Sequence, residues 1–388
     1  MAVFAVGPGI PHGKVLLGFS PFEDAGDLSA NQQAVYLDEL LRYYDRDLSD
    51  IIYFVADNCS VNKKFSDDQN IPLLGCNRHR LNLAVKKYLG FNHDDGDTDD
   101  DRTPAQVERR FIIDNLGKLM VKLKTIKGKA KLQEYTDFVA LKPHAIRWSG
   151  YYRIVTRFLE FKDDLARFVE DEDESGDLQD SIAELMPSTS EVLKIKRLGA
   201  ALTDFQSVSL ELQRKDGMVN LLDVRIMFDK LIDDYGDDME YYLAEDASII
   251  HSPTLEAAIV KQLQGSSLLT ESETHQLRKF ELVEEEDEAE ENDGDHSNVI
   301  GVGRGRSYAR DILKSHRKRQ RGSKTYIDLG KVPVTSNIVE RFFSEVKLNM
   351  TTLRNRLLPS NLETAMYLKM NKDLFSSMTV QQAMNLRN

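Results

Sequence analysis

Asp57 follows the apolar run of IIYFVADN at 51–58, and Glu340 stands far along the chain inside NIVERFFSEV. Those two carboxylates are the strongest functional clue in the chain, acids of the type that catalysis uses. Apolar residues without alternation predict a strand buried on both faces, and ligands of such sheets collect beyond the strands' carboxyl ends, where Asp57 falls. Each acid also has a plainer reading. Asp57 suits the N-cap of a helix opening near Asn58, and Glu340, third after Asn337, suits a capping pair.

Other residues carry a second chemistry beside a bland one. Cys76 and His79 in CNRH have the spacing of half a zinc site, but four ligands are needed and only Cys59 stands near, so a packed Cys beside a hydrogen-bonded His competes. Trp148, the single tryptophan, reads as core packing at a helix start, or as a stacking platform for an unpaired base with Arg147 on a phosphate. KSHRKRQR at 314–321 holds five Lys or Arg, namely Lys314, Arg317, Lys318, Arg319 and Arg321. Such a cluster suits phosphate binding or nuclear import, and it also suits a solvated linker. Asp97, Asp99, Asp101 and Glu108 approach a calcium loop, against which Arg102 takes the position that requires glycine.

The elements that must position these groups change character along the chain. Two strands at 2–6 and 14–20 form a hairpin through Gly7-Pro8-Gly9, and a helix over 31–44 follows. Then come the strand ending at Asp57, a short helix, a brief apolar stretch at 73–75 and a helix over 80–89. After the aspartate-rich loop at 93–102 the spacing of Tyr151, Val155, Phe158, Leu165 and Phe168, and of 193–212 and 221–235, is helical. Capping pairs Asn337/Glu340 and Ser360/Glu363 open two last helices. The divisions are therefore 1–89 as a mixed α/β part, 90–280 as an all-α unit, 281–331 as an acidic then basic linker, disordered in part, and 332–388 as a C-terminal region.

The 388 residues are enough for several compact units, and 41% apolar composition builds real cores. No stretch reaches the roughly 18 to 20 apolar residues of a membrane span. Two cysteines do not make a disulfide framework and fit a reducing compartment. A net charge of −13 argues against nucleic acid, but six of the acids lie in 94–101 and ten in 281–295. Outside them the balance turns mildly positive, and 304–331 carries ten Lys or Arg against two Asp. A phosphate-binding surface is electrostatically permitted.

DNCSVN at 57–62, GCNRHRLNLAV at 75–85, RWS at 147–149 and SNIVERFFSEVKLNMTTLRNRL at 336–357 together resemble the hAT superfamily of DNA transposases in order, spacing and wording. The resemblance implies an α/β RNase H-like fold interrupted by a large all-α insertion at about 90–325, predominantly helical overall. It implies three acids holding two magnesium ions for strand cleavage and transfer, in which paired metals stabilise the attacking and leaving oxygens. Asp57 matches the second acid and Glu340 the third. Cys76 and His79 match the family's CxxH, and Trp148 matches the insertion-domain tryptophan linked to a flipped base. The last segment resembles the dimerisation region, where Val339, Phe342, Phe343 and Val346 offer apolar area beyond what a lone helix buries.

The departure is at the front. The fold places three strands before its first helix, with an acid on the first, whereas this chain has two; Asp24 and Asp27 follow the second strand. The hairpin is expected to lack its usual strand partner. The resulting expectation is a nuclear, transposase-derived protein that binds DNA and dimerises, catalytically incomplete as written because the first acid is missing. DNA contacts fall to Arg147, Trp148, Arg304, Arg306 and the 314–321 cluster. The alternatives are an active cut-and-paste transposase whose reading frame starts further upstream, and a non-enzymatic nuclear interaction protein assembling through its C-terminal helices.

Overall fold

Strands β1 (Ala2–Val6) and β2 (Lys14–Phe19) pair antiparallel, with a register shift between Val3 and Phe4. Gly13 takes a φ of 71° at the end of the connection, a conformation that glycine adopts without steric cost. Helix α1 (Ala30–Arg42) follows, its N-cap Ser29 accepting from the Gln32 amide. β3 (Phe54–Ala56), α2 (Ser60–Gln69), β4 (Leu73–Gly75) and α3 (Asn77–Tyr88) complete the mixed part. A computed structural model describes residues 1–7, 10, 13–20, 26–91, 102–142, 148–171, 176–214, 219–266, 268–281, 326–350, 358–376, 378–379 and 381.

β3 and β4 pair in parallel as a second two-stranded sheet, and among the described residues no ladder joins it to the hairpin. What links the two is α1. Ala30, Ala34 and Leu37 cluster with Phe65 and Ile71, and onto them pack Met1 and Val3 from the hairpin and Ile51 and Phe54 from the second sheet. The 51–56 run, expected to be buried on both faces, is half-buried throughout, whereas β4 is fully buried.

The remainder is helical: α4 (Pro104–Leu123), α5 (Ile126–Tyr135), α6 (Ser149–Glu170), α7 (Asp177–Ala183), α8 (Thr189–Glu211), α9 (Leu221–Tyr235), α10 (Asp237–Leu243), α11 (Pro253–Leu263) and α12 (Glu271–Leu277). Local chemistry sets the starts. Thr103 with Gln106, Ser188 with Glu191, Asn220 with Asp223 and Thr270 with Glu273 close reciprocal capping boxes. Pro104 begins α4 at its first position, where its missing N–H leaves nothing unsatisfied. Along α6, Tyr151, Ile154, Val155, Phe158, Phe161, Leu165 and Phe168 form one buried stripe. No described helix is long and apolar enough to cross a membrane.

One core runs from Leu74, Leu81, Ala84 and Val85 through the helical unit to Leu329, Val332 and Val334, across the divisions drawn at 89/90 and 331/332. Two further helices are α13 (Asn337–Asn349) and α14 (Pro359–Met370). Neither expected capping pair forms. α13 has Ser336 at its N-cap without a side-chain bond, and α14 starts at Pro359, which puts Ser360 inside the helix. Proline's fixed φ favours the first helical position over a serine cap there.

Candidate functional site

The register sets Ala56 opposite Gly75, and the Cys76 amide donates to the Ala56 carbonyl at 2.8 Å. The loops leaving β3 and β4 therefore emerge side by side, and α2 and α3 begin there with Cys59 and Cys76 at their N-caps. Asp57 is thus not a cap. It is exposed beyond the strand end, and Asn62 Nδ2 donates to its Oδ1 at 2.7 Å and its carbonyl at 3.0 Å. Two helix N-termini lend this corner positive potential.

The C-terminal segment docks onto the same corner. Asn77 donates from its amide N–H and its Nδ2 to the Val334 carbonyl at 3.1 and 3.0 Å, and the Ser336 amide donates to Cys76 Sγ at 3.4 Å. Arg78 Nη1 donates to Asn337 Oδ1 at 3.0 Å and to Glu340 Oε2 at 2.5 Å. Asn337 in turn donates to the Leu212 carbonyl at 3.0 Å. Glu340 is therefore an ion-pair partner of Arg78.

His79 lies between the two acids electrostatically. Burial holds its pKa below that of an ordinary histidine, against the pull of Asp57 and Glu340 and with the repulsion of Lys86. Asp57, Asn58, Cys59, Lys63, His79 and Leu83 form one wall of a cleft of about 380 Å³, and Tyr241, Tyr242, Ser248 and Ile249 form the other.

Arg80 fixes that second wall. Its guanidinium donates to the Tyr242 and Ala244 carbonyls at 3.1 and 3.0 Å, to Asn77 Oδ1 at 3.1 Å and to Glu256 Oε2 at 3.3 Å. Both charges are buried, and burial pushes the Glu256 carboxyl up and Arg80 down despite their attraction. Inside the first wall the Asn58 side-chain amide is buried with no hydrogen-bond partner among the described residues, resting on Gly75, where an added Cβ would collide with it.

Cys76 is buried against Ser336 and His79 faces the cleft, so the pair does not share a ligand point. Among the described residues no group of three or more His, Cys, Asp or Glu gathers to hold a metal ion. With Asp57 bound to Asn62 and Glu340 to Arg78, the described donors do not fit the implied magnesium, and no step is derived through it. Trp148 is 4% exposed at the start of α6, edge-on to Phe205 at 6.5 Å and tilted to Tyr152 at 6.3 Å. Its packing role is the one realised; stacking on a base would require it to leave these rings. Arg147, Arg304, Arg306, Lys314, Arg317, Lys318, Arg319 and Arg321 lie outside the described residues, as do the acidic stretches at 94–101 and 282–295 and the glycine-rich 301–305.

The C-terminal apolar residues divide. Phe342 and Val346 are buried with Leu16, Leu362 and Met366, so they serve the hairpin's packing, whereas Phe343 is 45% exposed and Val339 half-buried. Sequence reasoning passed over Asn62, Arg78, Arg80 and the Tyr241-Tyr242 wall. The two arginines stand inside GCNRHRLNLAV, Asn62 closes DNCSVN, and the tyrosine pair is a visible aromatic cluster. No known protein family and no curated protein matches this sequence.

Proposed function

We propose that this chain is a transposase-derived protein, related to the hAT type, that binds DNA at the corner where Asp57, His79 and Glu340 meet. One observation carries the reading: three segments distant in sequence, those at 57–62, 75–85 and 336–346, converge on one site, with Arg78 bonded to Glu340 across 262 positions. A shared site explains why acids so far apart recur in the pattern. Within it the helix N-termini and Lys63 attract a phosphate, Asn62 orients Asp57, and Arg78 orients Glu340 while partly neutralising it. Two acids, one of them ion-paired, fall short of the donor set for strand transfer, so the reading is of a binding protein without cleavage in this form. RNase H-like topology, self-association through α13 around Phe343 and nuclear placement through 314–321 belong to the same proposal.

A labelled duplex or single strand incubated with the protein and magnesium is expected to stay intact. Strand cleavage or transfer contradicts the reading, and its loss in Asp57→Asn would assign the chain to the active transposases instead.

A further inference from the structure

His79, Leu83, Lys86 and Lys87 follow at helical spacing on one face of α3, a span of about 12 Å at ~1.5 Å per residue. His79 and Leu83 line the cleft, Lys86 acts electrostatically on His79, and Lys87 Nζ sits 4.2 Å from the centroid of the Tyr241 ring. His79 and Leu83 of α3 line the cleft itself, and Lys86 and Lys87 continue the same helix face beyond its lining. Acids stand at one end, Lys63 on its α2 side, and an aromatic ring with a cation at the other. Among the described residues no carboxylate forms an ion pair with Lys63, Lys86 or Lys87.

Tyr241 is 45% exposed, unlike Tyr242 at 5%, against which it packs edge-on with centroids 4.7 Å apart. A half-open ring braced by a buried neighbour, with Lys87 against it and Lys63 in the same cleft, matches how unpaired nucleotides are held: bases stack on aromatic faces while the backbone follows cations. A volume of about 380 Å³ is room for one nucleotide.

We propose that the cleft, with the α3 face that continues from it, binds an unpaired nucleic-acid strand, with Tyr241 as the base-stacking residue and Lys63, Lys86 and Lys87 as phosphate contacts, leading the strand toward Asp57 and Glu340. The proposal rests on the DNA-binding reading above and moves base contact from buried Trp148 to Tyr241.

The test is fluorescence anisotropy of a labelled single-stranded DNA of mixed sequence, with AMP as competitor. Tyr241→Ala weakens strand binding roughly tenfold, the range of one base-aromatic stack, while Tyr241→Phe stays within about twofold. Lys63→Ala and Lys87→Ala each reduce the slope of log affinity against log salt by about 0.7. Thermal melting confirms that the half-exposed tyrosine can be replaced without unfolding. Strand binding by Tyr241→Ala equal to that of the parent overturns this inference and leaves the DNA-binding reading standing. Absence of any DNA binding by the parent overturns that reading first. Competition by AMP as strong as by the unlabelled strand assigns the cleft to a free nucleotide and overturns the strand.

Discussion

Arg80 does more for the site than any residue the sequence pointed to. It lies one turn into α3, reaches the carbonyls of Tyr242 and Ala244, and carries its charge into the protein beside Glu256. A buried pair of this kind adds little over apolar packing, but removing one member strands the other charge. Arg80→Met is therefore expected to destabilise the fold by about 3–5 kcal/mol in chemical denaturation. The double change Arg80→Met with Glu256→Leu recovers part of the loss, because no lone carboxylate remains, though the two carbonyls still lose their donor. A single-variant loss well under ~1 kcal/mol would mean the pair is solvated and the wall is held otherwise. At this scale Asp57 and Glu340 were legible as candidates because acids beside strand ends and helix starts stand out. Their surroundings were less so: Asn62 stands only five positions from Asp57, but Arg78 meets Glu340 and Arg80 meets Glu256 only when distant segments come together.

Elements divide between those announced by local pattern and those set by contact. The long helices and the capping boxes at Thr103, Ser188, Asn220 and Thr270 are written in neighbouring residues. The capping pairs at Asn337 and Ser360 carried the same signature and did not form, because Asn337 is drawn to the Leu212 carbonyl and Arg78, and Pro359 starts its helix. The hairpin and α13 hold each other. Phe342 meets Phe4 and Phe19 edge-on at 5.6 and 4.8 Å, and the Asn371 side chain donates to the Leu16 carbonyl at 2.8 Å and accepts from its amide at 2.9 Å. Asn371 thereby pairs with β2 as a neighbouring strand would. Phe342→Ala should cost about 3–5 kcal/mol, and the half-exposed Phe343→Ala about 1 kcal/mol or less. Equal effects in denaturant titrations would show that the hairpin does not rest on Phe342. Light scattering of the Phe343 variant then reads whether the exposed ring joins two copies.

Across the whole molecule, the helical region and the corner at Asp57 are one body of packing. Leu81, Ala84 and Val85 of α3 lie in the same core as the long helices, so α3 carries site residues on one face and anchors them with the other. The compositional divisions at 89/90 and 331/332 mark changes of local chemistry, and the core crosses both, because it is assembled from side chains far apart in sequence. Charge follows the same rule: a net −13 argued against DNA, while Lys63 lines the cleft beside Asp57 and Lys87 sits over the Tyr241 ring of its far wall.

The claim that this site serves DNA is tested most directly by measuring affinity for a labelled DNA strand across a salt series. Binding should be clear at low salt and fall steeply and linearly in log affinity against log salt, as phosphate contacts release counterions. Absence of binding at low salt, or affinity indifferent to salt, would contradict it.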